Sequence, residues 1–431
     1  MTFVVRQADA SHEGELVEIA KTVNFINLPP FADVIARMVG SSNACFRRLL
    51  DAPTPGEGDD RSARRYMFVL ERAAPAAGGR RIICTSGITA GMGNASNPNL
   101  SYQLVRVRRR SEDLAKQDPD LHATGLDYVT GEVEHIVAQL YRDTSSPTEL
   151  GGLIVRKEYR GRRHGAQDLP GAPTPGRVLS FVRFHFIGRF RAWFSDVMLA
   201  EMLAYLEPYN DGNPFWRRFM RSFINLPYEK ADRLSTRKRE FMYRLLPDRV
   251  YMSLMPDDVI WNLGRVDAET ERARRLLQEV GFRYTHRIDP FDAGPHLESA
   301  TSDVSLVRDT RCQTVVGVAP AHELLREHPA ILSKDGALDE FIACAAAVRD
   351  VDAGDEGSVI IDEGAAEALG VSVGDRVWRT PLAPVPEEHE DYPIPLIDLP
   401  SLDDASYDAK LSDAYRAHAT GEPGRRPGPS R

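Results

Sequence analysis

The sequence predicts an α+β fold with mostly antiparallel strands, on three observations. Residues 66–71 and 81–88 read as two strands joined by an Ala/Pro/Gly turn, extending a sheet begun by the alternating residues 1–6. Val178, Leu179, Val182, Phe186, Phe190 and Trp193 fall at three- and four-residue spacings, so one apolar stripe runs along a helix over 177–195. From about residue 304 short strands take over. There 358–362, 363–369 and 370–378 read as strand, short helix, Gly turn and strand, the order of a small β-barrel-like module.

Between these lie shorter elements. Residues 16–21 are helix-like and precede a Leu28-Pro29-Pro30 break, after which Val34, Ile35, Met38 and Val39 recur at helical spacing. Residues 51–65 read as loop, 111–131 as a polar insertion and 151–155 as a short strand. A second α/β unit follows, with Pro214-Phe215-Trp216, an apolar stretch at 250–254, and a helix over 268–280. Gly281 is its C′ cap, before the strand-like 282–284. Past 381 the chain is rich in Pro, Asp, Glu, Ser and Gly with few aromatics, the composition of a disordered tail.

With 431 residues there is room for two or three domains, and 42% apolar with 27% charged residues is ordinary globular composition. No apolar run approaches the roughly 20 residues of a membrane span, and residues 1–6 show no secretory pattern, so a soluble, cytoplasmic chain is expected. Cys45, Cys84, Cys312 and Cys344 are far apart with no C-x-x-C pair. Buried free thiols are expected, with neither a metal site nor a disulfide framework. A net charge of -9 argues against nucleic acid as a partner. One segment is basic nonetheless: Arg156, Lys157, Arg160, Arg162, Arg163, Arg177, Arg183, Arg189 and Arg191 stand against Glu158 and Asp168. It is suited to a polyanion or a phosphorylated cofactor.

The strand at 151–155, the turn Arg160-Gly161-Arg162-Arg163-His164-Gly165 and the helix after it form the most informative local unit. Strand, Gly-bearing turn and helix N-terminus aim backbone N–H groups and a positive dipole at one point, which suits a pyrophosphate. A solvated loop is the other reading. The turn resembles the R-x-x-G-x-G loop with which GNAT-fold acyltransferases hold coenzyme A.

A longer resemblance runs through the chain. Ser146-Pro147-Thr148-Glu149-Leu150-Gly151-Gly152-Leu153 followed by Tyr159-Arg160 is similar to an S-S-E-L-C-T-L-F-L-x-P-x-x-R strand and turn. Arg183-Phe184, Phe190-Arg191 and Phe194-Ser195-Asp196 match an R-F-M-F-M-A-A-F-R-x-x-F-x-D helix in register. Ala200-Glu201-Met202, Asn213-Pro214-Phe215-Trp216 and Lys230-Ala231-Asp232 follow, as A-E-M-R-G, S-P-F-W and R-A-D. Most specific is the stretch from Ile288-Asp289-Pro290-Phe291-Asp292 through Ala293-Gly294-Pro295-His296-Leu297-Glu298, against I-D-I-F-D-G-G-P-T-L-E. These motifs resemble the arginine N-succinyltransferase family, over about residues 3–377.

The resemblance implies two GNAT-like α/β units in tandem: 1–200, carrying the acyl-CoA loop, and 201–303. A small β-rich module at 304–381 and the tail at 382–431 complete the chain. It further implies transfer of a succinyl group from succinyl-CoA to the α-amine of arginine or a related basic amino acid, in arginine catabolism. The amine attacks the thioester directly, backbone donors stabilise the oxyanion, and an acid protonates the departing thiolate. No metal is involved, and a homo-oligomer or a hetero-oligomer with a related subunit is compatible. A family contact to succinyl-CoA falls on Leu153, otherwise a buried strand leucine. The loop contributes Arg160, Gly161, Arg162 and Gly165; with Gly176 as its last glycine, 166–175 is an insertion.

Departures from the family bear on the site. Asp267 stands where the family has a histidine proton donor, and it either takes that role or caps the helix that follows. His296 replaces a small residue and is a candidate relocated acid or a structural histidine, while Tyr159 and Tyr284 are acids or packing residues. The family's K-T-G-G-G-L-T-S-L-P reads Lys21-Thr22-Val23-Asn24-Phe25-Ile26-Asn27-Leu28-Pro29-Pro30 here, without its glycines, which puts the identity of the amine in question. For a guanidinium, Asp289, Asp292 and Glu298 are the candidate carboxylates, with turn formation or a surface ion pair as the other reading. A non-catalytic relative that binds acyl-CoA or a partner subunit is the alternative function.

Overall fold

The computed structural model describes residues 3–22, 28–52, 54–56, 60–62, 64–74, 79–110, 132–160, 173–207, 212–235, 240–324, 329–336, 340–351, 357–382, 396 and 399–403. Helices and strands mix along the chain, and the strands join into one long sheet path.

β1 (Val4–Gln7), β2 (Arg65–Ala74) and β3 (Gly79–Thr89) run antiparallel in chain order, where alternating residues predict them. β3 pairs antiparallel with β6 (Thr148–Val155), and β6 pairs parallel with β7 (Val197–Glu201). From β7 the path continues antiparallel through β10 (Pro295–Ala300), β9 (Arg283–Ile288), β4 (Asn99–Arg110), β5 (Glu132–Asp143) and β8 (Arg249–Tyr251). The β4–β5 hairpin, drawn from the first 200 residues, therefore lies among strands of 201–303.

That hairpin is absent from the sequence expectations, and burial explains why. Leu100, Tyr102 and Leu104 enter one core, whereas Val105 and Val107 pack with Val137 in another. The apolar set changes face after Leu104, and the period-two signal breaks with it. Residues 111–131 lie outside the described residues.

Helix α1 (Glu13–Ala20) buries Leu16, Ile19 and Ala20, and α2 (Ala32–Asp51) buries Ile35, Val39, Phe46 and Leu49 along one stripe. Helix α3 (Pro175–Arg189) opens with Pro175 in its first turn and Thr174 as N-cap, whose hydroxyl accepts the Arg177 N–H at 3.4 Å. It ends before 195, giving way to a short turn at Arg191–Trp193. Every residue from Val178 to Ile187 is buried, because α3 packs on β3 and β6 and is covered by C-terminal elements. The aromatic stripe is core, as expected. Phe186 lies 4.9 Å from Phe341 and Phe190, 5.1 Å from Tyr66 and 5.2 Å from Phe68, ring centre to ring centre.

The second core gathers Phe215, Trp216, Phe219 and Tyr228 of α4 (Tyr228–Ser235) under β4 and β5. The helix predicted over 268–280 is α5 (Glu271–Glu279), preceded by a turn. Gly281, at φ +113, takes the predicted C′ place.

β11 (Arg311–Ala319), β12 (Pro329–Lys334), β13 (Ile342–Asp350), β14 (Ser358–Asp362) and β15 (Arg376–Pro381) close a circuit in the order β12-β15-β11-β14-β13, with β12 pairing back to β13. Helix α6 (Glu363–Leu369) is capped by Asp362, which accepts the Ala365 N–H at 2.9 Å. β13 also pairs with β1, so this circuit is continuous with the main sheet. His185 of α3 joins them from below, its ring nitrogens 2.7 Å from the Thr380 hydroxyl and 2.8 Å from that of Ser333.

Most of the stretch past 381 lies outside the described residues; within it Ser401–Asp403 form β16, which pairs parallel with β4, and Leu399 is buried in the second core. A few apolar residues inside a polar segment are enough to dock it where a sheet edge and an apolar face are open. All four cysteines are free; Cys84 and Cys344 are buried, Cys45 and Cys312 only partly. Among the described residues no helix is long and apolar enough to cross a membrane.

Phe186→Ala should destabilise the fold by about 3–5 kcal/mol, at the large end for a core truncation. Urea unfolding followed by tryptophan fluorescence measures it, and a loss below about 1 kcal/mol contradicts the central place given to this ring.

Candidate functional site

β6 and β7 pair only at Thr148 with Met198 and Glu149 with Leu199, then part. On its other edge β6 is bulged. Thr85 faces Ile154 and Gly87 faces Gly151, leaving Gly152 and Leu153 opposite Ser86 alone. Gly152 adopts φ +64, a conformation costly for any residue with a Cβ. A bulge bends and over-twists its strand, which carries β6 away from β7.

A cleft of about 410 Å³ fills the gap, walled by 150–155 on one side and by Glu201, Met202 and Leu203 on the other. The first turn of α3 and the turn before α5 complete it. Gly176 sits in that first turn, where an added Cβ would lie 3.2 Å from Val155, so the helix end is seated tightly on β6. Lys21, Arg160, Arg177 and Arg272 surround the same region. Arg160 donates to the Val155 carbonyl at 2.9 Å and pairs with Glu269 at 3.1 Å, and Arg177 pairs with Glu279 at 2.5 Å. Much of the basic run is engaged inside the protein: Arg156 on the Ile82 carbonyl and Glu15, Arg189 on the Lys334 carbonyl, Arg191 on Asp196.

Of the residues singled out from the sequence, Leu153, Arg160, Gly176, Asp267 and Tyr159 come together on this cleft. Gly161, Arg162 and Gly165 lie outside the described residues, as does most of 166–175. Asp267 lines the cleft and holds a turn. Its carboxylate accepts the Glu269 N–H at 2.8 Å and its carbonyl accepts the Thr270 and Glu271 N–H groups, so it caps the turn before α5 while facing the cleft.

His296 is 1% exposed on β10, paired across from Glu201. Its Nε2 has no hydrogen-bond partner among the described residues and lies 3.9 Å from the Glu201 carboxylate. Burial, with a smaller contribution from Arg287, pushes it down to about 3, so it carries no proton charge at neutral pH. Glu298 forms an ion pair with Arg287, which also meets Asp143 at 3.4 Å, and it is not on the cleft wall. Asp289 accepts the Phe291 and Asp292 N–H groups, and Asp292 accepts those of Gly294 and Ala204, so both shape turns. Both are raised above the ordinary carboxylate range, chiefly by burial. Glu201, Asp289 and His296 bring ligand-type atoms within 4.8 Å of one another.

Glu201, which ends β7, and Arg183 also line the cleft, Glu201 without a site role from the sequence and Arg183 only as a member of the basic segment. Arg183 had a signal. It stands four residues after Leu179 and three before Phe186, on the apolar stripe itself, where an arginine needs a reason.

Among the described residues no cation forms an ion pair with Asp232, Asp289 or Asp292. Asp232 of α4, buried, is pushed up to about 8 by burial first and then by Asp292 and Glu229. An unfolded aspartate titrates near ~4. Between these values the folded chain holds a proton the unfolded chain has released, so stability falls as pH rises through that window. Asp232→Asn should therefore match the wild-type unfolding free energy near pH ~4.5 and exceed it at pH ~8.5 by roughly 2 kcal/mol or more. Equal melting curves at the higher pH contradict the assignment.

Comparison with known proteins gives the family of the chain. The family model described as arginine N-succinyltransferase beta subunit matches residues 3–306. An arginine N-succinyltransferase of Yersinia pestis is 33% identical over 379 residues, covering 86% of this chain and 96% of that one. One of Salmonella arizonae is 27% identical over 276 residues, covering 63% and 70%. Among solved structures, arginine/ornithine succinyltransferase subunit AI from Pseudomonas aeruginosa shares the fold with a TM-score of 0.67 at 22% identity, over 89% of this chain and 99% of that one. The chain belongs to the arginine N-succinyltransferase family.

Proposed function

We propose that the chain transfers a succinyl group from succinyl-CoA to the α-amine of arginine or a related basic amino acid, a step in arginine catabolism. The observation that carries this is the wedge between β6 and β7, with cations and a helix N-terminus at its mouth, in a chain of this family. Phosphates of the donor suit the first turn of α3 together with Arg160 and Arg177. Among the described residues the edge of β6 that faces away from β3 pairs with no strand beyond Glu149, and it offers backbone groups to the amides of the donor's arm. N–H groups at the Gly152–Leu153 bulge are the oxyanion donors in this reading.

Continuing the β6–β7 register would set Glu201 level with Gly151, so this carboxylate belongs at the closed end of the wedge. We assign it to the acceptor's cationic groups, with Asp289 and Asp292 behind it adding negative potential; Glu298 is already held by Arg287. The acceptor's ammonium gives a proton to Glu201, and the free amine attacks the thioester carbon. The oxyanion then collapses, the C–S bond breaks, and the nitrogen's surplus proton passes to the departing thiolate, with Asp267 as relay on the facing wall. The Asn99 side-chain amide donates to Glu201 at 2.7 Å and orients it.

In this reading the wedge belongs to the first of two tandem GNAT-like units, 1–200, which lends its β4–β5 hairpin to the second, 201–303. The module at 304–381 buttresses α3. The solved relative is titled a subunit, and we extend that to this chain as assembly with further copies or a related second subunit.

Thiol release measured with succinyl-CoA and a panel of basic amino acids tests the reading. Turnover with arginine or ornithine is expected. Absence of both turnover and coenzyme A binding at high protein concentration would instead support a non-catalytic family member. Asp267→Asn separates the two places of Asp267, since asparagine can still accept the Glu269 N–H. A fall in kcat of about 10-fold or more at unchanged melting temperature marks the relay, and an unchanged rate leaves Asp267 a capping residue.

A further inference from the structure

Arg183 is 3% exposed on the inward side of α3, yet it reaches the cleft wall. Its Nε donates to the Ser180 carbonyl at 3.0 Å, one terminal nitrogen to the Ser180 hydroxyl at 2.9 Å, and the other to the Gly151 carbonyl at 3.5 Å. Each terminal nitrogen carries two hydrogens, so one on each has no partner among the described residues. No carboxylate among those residues forms an ion pair with it, whereas Arg160 and Arg177 each hold a glutamate. Burial lowers its pKa to about 10, with no neighbouring acid contributing, so it stays charged at neutral pH. A buried cation without a counter-ion is costly, and a planar guanidinium with a free N–H on each terminal nitrogen matches a carboxylate.

Its position says which carboxylate. The Gly151 carbonyl is one to two residues, at about 3.3 Å each, from the Gly152–Leu153 bulge where the thioester sits in the proposed function. That is the reach of a four-carbon acyl chain from its thioester carbon toward the closed end of the wedge. We infer that Arg183 receives the free carboxylate of a dicarboxylic acyl group and thereby selects a succinyl-type donor over an uncharged acyl donor of the same length. This rests on the acyl transfer proposed above. A butyryl donor fills the same space but leaves the guanidinium uncompensated.

The experiment compares kcat/KM for succinyl-CoA and butyryl-CoA, with the same amino acid, in wild type, R183K and R183M. Wild type should favour succinyl-CoA by at least about 100-fold, the scale of leaving a buried charge unpaired. R183M should reduce that ratio to within about 5-fold through loss of succinyl-CoA turnover, and R183K should fall between. A purely structural arginine would lower both donors alike and leave the ratio unmoved, which overturns the inference. So does a wild-type ratio near one, which needs no variant. If R183M fails to fold, R183K decides, because an unchanged ratio there also counts against carboxylate recognition. Failure of wild type to release thiol from either donor sinks the acyl-transfer reading itself, a different result from transfer that ignores Arg183.

Discussion

The site depends on two parallel strands that cease to be partners. After Glu149 and Leu199 the hydrogen bonds between β6 and β7 stop, although both chains run on beside one another. Unpaired backbone inside a sheet is expensive unless something else satisfies it. Two features hold the gap open. The bulge opposite Ser86 bends β6, and α3, buried on all sides and anchored by the aromatic cluster around Phe186, occupies the space below. A fold that keeps such a gap has a strand edge exposed as a surface, on which side chains meet some of the backbone groups, Arg160 at the Val155 carbonyl and Arg183 at that of Gly151.

Charge is sorted along this gap. Arg160, Arg177 and Arg272 lie toward the end of β6 and the first turn of α3, where a helix dipole adds to them. Glu201 lies at the level of Gly151, with Asp232, Asp289 and Asp292 behind it, all three with raised pKa values because burial and one another penalise the charged form. In the proposed function a phosphorylated donor and a cationic acceptor take different parts of the same cleft, with the Arg183 guanidinium between them.

Several elements were legible because local chemistry agrees with the tertiary outcome. The stripe on α3, the Gly281 cap, the Asp362-capped helix and the β2–β3 pair follow from spacing and turn residues alone. The β4–β5 hairpin was not legible, since a strand buried on both faces has no single period, and its partner β9 lies far along the chain. The short strand at Ser401–Asp403 was missed for a related reason: composition reports the average of a segment, and docking needs only a few residues of it.

The same division holds at the site. By itself the sequence determined the family motifs, the strand–turn–helix unit and five of the cleft's residues, Leu153, Tyr159, Arg160, Gly176 and Asp267, because each lies within a contiguous stretch whose chemistry is local. Only the tertiary structure decided that Glu298 is held by Arg287, that His296 is dry and neutral, and that Glu201 and Arg183 face the cleft. A carboxylate or guanidinium is defined by what surrounds it, and those surroundings come from strands and helices far apart in the chain.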